Sequence, residues 1–189
     1  SLPERVYGQI KRSDLAQQLP QWRLVDKIGS DAARYFRFRS GAAINKGLPG
    51  LFTKAGYKDV FLTNGPQVAE AAAKETWVLR ETSREKISSD QVDSLLSDVT
   101  KLYFAEYIRT WNSYLEDLDI ERFTSFSDGA QKVKDLSAEL SPIRSLLAHV
   151  GKETILASSS AGLIDAAGES SKVRQITNRV AALLDKASE

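Results

Sequence analysis

Residues 89–118 carry the strongest periodic signal in the sequence, and they require a fold built around one long helix. Apolar side chains recur there three or four residues apart, which is the spacing of one helix face. At about 100° per residue, the later members of the series are rotated by roughly a quarter turn from the earlier ones. The pattern predicts a long helix, capped by Ser89 or Asp90, whose two ends face different neighbours. The series consists of Val92, Leu95, Leu96, Val99, Leu102, Tyr103, Phe104, Tyr107, Ile108, Trp111, Leu115 and Leu118.

Shorter helical patterns flank this segment. Pro20 is predicted to end the first of them, and the turn residues at positions 64–66, Asn-Gly-Pro, to end the second. Ser141 and Pro142 are predicted to open a later helix, since proline is tolerated in the first turn. The chain is therefore predicted to be mainly α, a multi-helix fold with a long central helix. The predicted shorter helices span residues 3–19, 53–61, 67–79, 127–140 and 142–154.

Residues 21–44 interrupt the helical pattern. Within them, residues 22–25 and 35–39 alternate apolar and polar side chains, as strands do. Gly29 and Gly41 bound these two runs. The alternation predicts a small β-element in this part of the chain.

The predicted domain organisation has three parts. Residues 1–157 form a helical domain with the small β-element, and residues 158–172, rich in small side chains, form a flexible loop or linker. Residues 173–189 form a terminal helix with one apolar side, which must dock on the domain or on a missing partner. That apolar side consists of Val173, Ile176, Val180, Leu183 and Leu184.

Composition and charge exclude several classes of protein. With 42% hydrophobic and 27% charged residues, the 189-residue chain lies in the range of packed globular proteins. Its 26 basic and 25 acidic residues give a net charge of +1, so no overall field attracts nucleic acid or anionic lipid. No apolar stretch approaches the ~20 residues of a membrane-spanning helix. Because the sequence begins with Ser1 and contains no methionine, we expect it to be part of a longer polypeptide.

The sequence shows no pattern typical of a reactive or metal-binding site. The only histidine, His149, falls off the apolar face of its predicted helix, which favours a solvated flank residue over a catalytic base. Without cysteine, a zinc site lacks its usual ligands. Asp117, Asp119 and Glu121 suggest calcium, but the glycine and the closing glutamate of an EF-hand loop are missing, which favours a solvated helix end. No catalytic, cofactor-binding or metal-binding residue is therefore predicted.

Two aromatic groupings have more than one interpretation. In residues 34–39, basic and aromatic side chains alternate, as single-stranded nucleic acid would require. As a strand, the same residues place Phe36 and Phe38 on one face, which suits a half-buried edge. Trp77 is expected to be a core or seam residue. The second grouping also suits a core or an interdomain seam better than a ligand site, and it consists of Tyr103, Phe104, Tyr107, Trp111 and Tyr114.

Two further segments carry longer patterns. Residues 47–57 contain Pro-x-x-Phe-Thr-x-x-Gly-Tyr, and residues 103–111 read Tyr-x-x-x-Tyr-x-x-x-Trp. In their order and separation, these segments resemble the periplasmic C-terminal region of the TssM/IcmF family of type VI secretion proteins. Residues 4–7 and 141–147 are weaker matches that extend the resemblance over most of the chain.

The resemblance implies a scaffold role and no enzymatic activity. Members of this family are anchored in the bacterial inner membrane, cross the periplasm, and join a TssJ-like outer-membrane lipoprotein to a TssL-like inner-membrane protein. It therefore implies a periplasmic segment whose partners are these subunits and further TssM copies, with no cofactor, nucleic acid or small-molecule substrate. In the family, a β-sandwich that follows this region makes the main lipoprotein contact. Since no strand series follows the last predicted helix here, direct lipoprotein binding is not expected of these residues.

The alternative interpretation is a free-standing helical module that binds protein or nucleic acid. It would use the basic and aromatic residues 34–39, and it predicts salt-sensitive binding that is lost when Arg37 and Arg39 are changed. The scaffold interpretation predicts no affinity for nucleic acid at physiological salt.

Overall fold

The computed structural model describes residues 1–78 and 89–156, which are mainly α-helical, as predicted. The predicted linker 158–172 and terminal helix 173–189 lie outside the described residues. In the described part, the α-helices are α1 (Leu2–Arg12), α2 (Asp14–Gln18), α3 (Leu24–Ile28), α4 (Ala32–Tyr35), α5 (Thr63–Val78), α6 (Ser89–Asp117), α7 (Phe126–Ser137) and α8 (Pro142–Thr154). The strands there are β1 (Trp22–Arg23), β2 (Phe36–Phe38), β3 (Gly47–Leu48) and β4 (Leu118–Ile120).

The described residues divide into two compact units. The first unit takes its residues from Ser1–Pro20 and Pro49–Arg109, and the second from Gln21–Leu48 and from Thr110 onwards. Because this boundary falls inside α6, that helix contributes residues to both units. That residues 1–157 act as one domain stays a prediction.

The first helix of the first unit is shorter than predicted. The extended backbone of Ser13 separates α1 from α2, so the predicted helix 3–19 is two helices. The Ser13 hydroxyl oxygen accepts a hydrogen bond from the Ala16 N–H at 3.3 Å and caps α2. Serine competes with the helix for backbone hydrogen bonds in this way, which explains the break. Val6 and Ile10 are fully buried on α1, which packs against α5.

A segment of unusual helical geometry precedes α5. Gly50–Phe52 form a 3-10 turn, and Gly56–Leu62 form a π-helix that continues directly into α5. Thr53 caps this run, as predicted: its Oγ1 accepts a hydrogen bond from the Gly56 N–H at 3.1 Å. The same hydroxyl donates to the Gly50 carbonyl at 2.6 Å, which ties the 3-10 turn to the start of the π-helix.

The turn predicted at residues 64–66 is wrong, because α5 runs through it. Pro66 lies inside the helical run that the π-helix and α5 form together, and its ring removes one backbone N–H from that run. Gly65 is buried, and a Cβ atom added to it would lie 3.7 Å from the Leu96 side chain of α6. Packing of α5 against α6 therefore overrides the local turn preference of Asn-Gly-Pro.

α6 confirms the long helix predicted over residues 89–118 to within one residue. Buried side chains follow one another along it at a spacing of four residues. Four residues turn a helix by about 400°, so each buried position is displaced by about 40° from the one before. The buried face therefore drifts around the helix, as predicted, and its last members belong to the second unit. These side chains are Leu95, Val99, Tyr103, Tyr107, Trp111 and Leu115.

Two short antiparallel strand pairs organise the second unit. β1 pairs with β3, and β2 pairs with β4, where Phe38 lies opposite Leu118. The β-element predicted near residues 21–44 is thus present, but both partner strands lie outside that range. Phe36 and Phe38 are buried on one face of β2, as the alternation predicted.

The strand predicted over residues 22–25 is wrong beyond Arg23. From Leu24 the chain forms α3, and Leu24 is fully buried where α3 packs against α8. Gly29 ends α3 with a φ of 107°, a left-handed conformation that glycine adopts without strain. The apolar residues of this stretch therefore belong to a contact between two helices, which the alternating apolar and polar pattern alone does not reveal.

α7 and α8 follow each other through a short turn. Ser125 caps α7 by accepting a hydrogen bond from the Asp128 N–H at 3.1 Å. Ser141 caps α8 by accepting one from the Arg144 N–H at 3.2 Å, and α8 begins at Pro142, as predicted. Leu147, predicted on the apolar face of α8, is half-buried. The buried residues of that face are Ile143, Leu146, Val150 and Thr154.

Gly56 has no room for a side chain, and we expect Gly56→Ala to destabilise the first unit. An added Cβ would lie 2.5 Å from the Leu51 carbonyl oxygen and closer still to that of Gly50, and neither backbone atom can rotate away. Overpacking of this kind lowers the free energy of unfolding by about 1–3 kcal/mol. Urea denaturation followed by circular dichroism would measure the loss.

Gly151→Ala is the control, since Gly151 also lies inside a helix. The added Cβ would meet no neighbouring group within 4 Å, and alanine favours a helix by about 0.5–1 kcal/mol over glycine. We expect this variant to be at least as stable as the wild type. Equal stability of the Gly56 and Gly151 variants would contradict the close approach at Gly56.

Candidate functional site

The two segments with the longer sequence patterns meet in one cluster of the first unit, called here the aromatic cluster. The Phe61 and Tyr103 rings stack with centroids 4.1 Å apart, and the Tyr57 ring lies 5.8 Å from that of Tyr103. Phe52 adds an edge-on contact to Tyr107 at 6.2 Å. Such pairs each contribute about 0.5–1.5 kcal/mol beyond the burial of their surface. The cluster consists of Phe52, Tyr57, Phe61, Tyr103, Phe104 and Tyr107, all buried except the half-buried Phe104.

Tyr103 also makes the polar contact that fixes this cluster. Its side chain is fully buried, and its hydroxyl donates a hydrogen bond to the Leu51 carbonyl oxygen at 2.8 Å. Burial raises the pKa of Tyr103 well above its ordinary value, so the hydroxyl keeps its proton and remains a donor. The bond is structural, because the oxygen at its other end belongs to the backbone.

A carboxylate on α6 holds α1 in the same unit. The Glu106 carboxylate accepts hydrogen bonds from the Tyr7 hydroxyl at 2.7 Å and from Lys11 Nζ at 3.0 Å. Burial opposes the charged form of Glu106, but the bonds from Tyr7 and Lys11 outweigh it and lower its pKa. Burial, followed by the bond to Glu106, raises the pKa of Tyr7 far above its ordinary range. These groups pair with one another and thereby tie α1 to α6.

The second unit has its own cluster, called here the tryptophan cluster, made of Trp22, Phe38, Trp111 and Tyr114. Trp22 contacts the Trp111 ring at 5.0 Å and the Tyr114 ring at 5.7 Å, both edge-on. The Tyr114 hydroxyl donates to the Lys46 carbonyl at 3.2 Å, and burial raises the pKa of Tyr114 to about 12. The aromatic residues of α6 predicted as core or seam are therefore buried, apart from the half-buried Phe104. The side chain of Trp77 lies outside the described part of the structure.

The acidic run at the end of α6 is an anchoring site, and its interpretation as a solvated helix end is wrong. The side chains of Asp117 and Asp119 are only 16% and 19% exposed. Asp117 accepts hydrogen bonds from the Ser40 N–H at 2.7 Å, from the Ser40 hydroxyl at 2.6 Å and from Lys46 Nζ at 2.9 Å. The pairing of β2 with β4 brings these partners together from distant parts of the sequence, which the local pattern does not reveal.

The basic side chains in residues 34–39 are also engaged. Arg37 lies opposite Asp119 across the β2–β4 pair, at 3.1 Å, and Arg39 lies 3.4 Å from the same carboxylate. Arg34 lies 3.9 Å from Asp135. Because carboxylates neutralise these cations locally, the strip lacks the net positive field that single-stranded nucleic acid requires. The structure favours the half-buried edge strand.

His149 is half-buried and lies off the buried face of α8. Its Nδ1 lies 2.8 Å from the Ser145 carbonyl oxygen, which only accepts hydrogen bonds, so Nδ1 carries the proton in this contact. The Ser145 hydroxyl lies 3.4 Å from the same nitrogen. A nitrogen that donates to the backbone cannot at the same time take a proton from that hydroxyl. The Ser145–His149 pair is thus a contact within one helix turn and not a nucleophile with its base.

One exposed apolar surface was missed by the sequence analysis. Phe126 and Val133 are 96% and 42% exposed on α7, and Leu140, in the turn after it, is 96% exposed. Ala130, between them, is also exposed. These four residues are called here the α7 stripe. The signal was present in the sequence, since apolar side chains recur every seven residues at positions 126, 133 and 140.

Comparison with known proteins decides the family. A family model described as IcmF-related, intracellular multiplication and human macrophage-killing, matches residues 1–155. The chain belongs to this TssM/IcmF family. The type VI secretion system component TssM1 of Pseudomonas aeruginosa is 37% identical to this IcmF-related chain over 153 residues, which are 81% of the chain and 14% of that relative. The IcmF-related chain thus spans about a seventh of the relative's length.

A solved structure has a similar fold. In a chain of a type VI secretion system membrane core complex, the similarity covers 95% of the IcmF-related chain and 36% of the other, with a TM-score of 0.57 and 17% identity. Among residues 1–78 and 89–156, no helix of the IcmF-related chain has both the length and the apolar character needed to cross a bilayer. The resemblance noted in the sequence is confirmed at the level of the family.

We expect the Asp117 anchor of the IcmF-related chain to stabilise the fold in a pH-dependent way. Burial opposes the charged form of Asp117, but the hydrogen bonds from Ser40 and Lys46 outweigh it and lower its pKa. A carboxyl group with a lowered pKa in the folded state stabilises it above its unfolded pKa, near 4, and this stabilisation is lost as the pH falls through the folded pKa. Asp117→Asn should lower the free energy of unfolding by about 1–2 kcal/mol at pH 7.

Urea denaturation of the wild type and the variant at pH 7, 5, 4 and 3 would measure this difference. It should begin to shrink as the pH falls below the unfolded pKa, near 4, and should be lost as the pH falls through the lower pKa of the folded state. Glu139→Gln is the control, since Glu139 is exposed, and it should change the stability little at any of these pH values. A constant Asp117→Asn effect down to pH 3 would rule out the charge of Asp117 as its cause.

Proposed function

We propose that the chain is a structural segment of a type VI secretion membrane complex, and that it acts as a scaffold and not as an enzyme. Its relatives support the system: one is named a component of type VI secretion, and the solved structure carries the name of the membrane core complex. The observation that carries the proposal is the aromatic cluster. The two segments that resemble the family meet there, and they are engaged in packing and in a bond to the backbone.

The polar groups of the described residues support the same proposal. The carboxylates of Glu106, Asp117 and Asp119 are each matched to basic or hydroxyl groups of the fold itself. His149 is bonded to its own helix. A site for acid–base or nucleophilic chemistry needs such groups directed at a substrate. The pairing of Arg37 and Arg39 with Asp119 likewise favours a scaffold over a nucleic-acid-binding module.

In this proposal, the chain is a periplasmic segment of a membrane-anchored parent protein. The parent would connect a TssL-like inner-membrane protein to a TssJ-like outer-membrane lipoprotein and would assemble with further copies of itself. These partners come from the family resemblance, and the chain would contribute a folded spacer between them. Its stability would then matter for assembly, whereas no individual side chain would be required for a reaction.

Assembly can be tested in the parent protein with Tyr103→Ala, which empties the centre of the aromatic cluster. Truncation of a fully buried aromatic residue lowers stability by about 3–5 kcal/mol. We expect co-purification of the parent with the other membrane-complex subunits to fall at least several-fold, together with secretion. Parent abundance, measured by immunoblot, would separate lost assembly from lost protein.

Lys101→Ala and His149→Ala are the controls for this experiment. Lys101 lies two residues away on α6 with a side chain 73% exposed, and its change should leave both co-purification and secretion intact. His149→Ala should do the same, because a scaffold needs no base there. Loss of secretion with intact assembly in the His149 variant would argue for an enzyme and against the proposal.

Placement in the periplasm can be tested by cysteine labelling. The chain has no cysteine, so Ser97→Cys, at an exposed position of α6, gives a single reactive thiol in this segment once cysteines elsewhere in the parent are replaced. We expect a membrane-impermeant maleimide to label the thiol at position 97 after the outer membrane is permeabilised and while the inner membrane is intact. Labelling that appears only after the inner membrane is disrupted would contradict a periplasmic location.

A further inference from the structure

The α7 stripe is an apolar surface without a cover in the described residues. Phe126 and Leu140 are each 96% exposed, far more than apolar side chains of a folded helix pair usually are. Phe126 and Val133 lie seven residues apart on α7, so they share one face of the helix. A different face, which includes Leu136, is buried in the second unit. The stripe therefore adds a second apolar side to α7, of the kind that marks an interaction surface.

The sequence after Leu156 contains a segment with matching properties. Its apolar residues Val173, Ile176, Val180 and Leu183 are separated by three, four and three residues, the spacing of a helix that packs against one other helix. Lys172, Arg174, Arg179 and Lys186 would occupy its other sides. A helix with one apolar side is marginal in water unless it packs on something. The α7 stripe lacks a covering element in the described residues, and this segment requires an apolar surface to pack against. Each would bury the apolar side chains of the other.

The connection between them favours docking within one chain. Leu156 is buried at the end of α8, which packs against α7, and residues 157–172 follow it. A connection of that length extends to roughly 55 Å, whereas the 12 residues of α7 span about 18 Å, so the segment can reach the whole stripe. A short connection also gives a local concentration in the millimolar range. At micromolar concentration, a second copy of the chain therefore competes poorly for the stripe with the segment of the same chain.

We propose that residues 173–184 form an amphipathic helix that docks on the α7 stripe of the same chain. Docking would bury Phe126, Val133 and Leu140 under Val173, Ile176, Val180 and Leu183, as in a two-helix seam. It would close the second unit with a third helix beside α7 and α8. This inference concerns the packing of the chain itself, and it does not depend on the proposed scaffold role.

Disulfide cross-linking in the 189-residue chain tests the proposal without background, because the natural sequence has no cysteine. Val133→Cys, on the stripe, would be combined in turn with cysteine at positions 173, 176, 180 and 183, which lie on successive turns along the apolar side. A disulfide requires Cα atoms about 4.4–6.8 Å apart, so only facing positions react readily. Each variant would be oxidised at low micromolar concentration and resolved by non-reducing electrophoresis and mass spectrometry.

Asn178→Cys paired with Val133→Cys is the matched control. Position 178 lies about 160° around the helix from position 180, on the polar side. We expect at least one apolar-side pair to form an intramolecular disulfide about tenfold faster than this control. Adding Val180→Asp to an apolar-side pair at another position should abolish that advantage, whereas adding Asn178→Asp should not.

Three results would overturn the proposal. Equal rates for the apolar-side pairs and the control would mean that no face of the segment is docked. A disulfide-linked dimer whose yield rises with protein concentration would assign the stripe to a second copy of the chain. A rate advantage that survives Val180→Asp would mean that the apolar seam does not hold the two helices together. Circular dichroism of each reduced variant would establish that the helical content is retained.

Discussion

The buried hydroxyl of Tyr103 is the contact on which the first unit depends most. It lies among stacked rings, where an unpaired polar group would be destabilising, and its single bond goes to the backbone of Leu51. That bond sets the position of the 3-10 turn relative to α6. The backbone of this 3-10 turn leaves no space for a side chain at Gly56, where the π-helix begins. One side chain of the long helix therefore determines how an irregular segment far away in the sequence is placed.

The four-residue spacing of buried side chains along α6 explains how one helix contributes to two cores. A seven-residue repeat would keep its apolar residues on one side, whereas a four-residue spacing moves them steadily around the helix. Tyr103 and Tyr107 belong to the aromatic cluster, and Trp111 and Tyr114 belong to the tryptophan cluster. The aromatic series that stands out in the sequence is thus divided between two cores.

Three acidic residues pair with hydroxyl or basic groups of the fold. Glu106 holds α1, Asp117 holds the loop after β2, and Asp119 holds Arg37 of β2 and Arg39 just after it. These acidic groups stabilise contacts between elements of the fold. The α7 stripe is the exception, because its apolar side chains face solvent in the described residues.

The sequence by itself determined the features that depend on neighbouring residues. These include the length and drift of α6, the cap at Thr53, the start of α8 at Pro142, and the buried face of Phe36 and Phe38, since helix and strand periods and capping bonds act over a few positions. Only the tertiary structure decided that α5 continues through residues 64–66, that α3 replaces a strand, and that Asp117 and Asp119 are anchors. In each case the deciding contact comes from residues distant in the sequence: α6 for Gly65, α8 for Leu24, and the β2 region for the two aspartates. Local patterns show which side chains require burial or a polar partner. Only the folded chain shows which residues lie close enough to provide them.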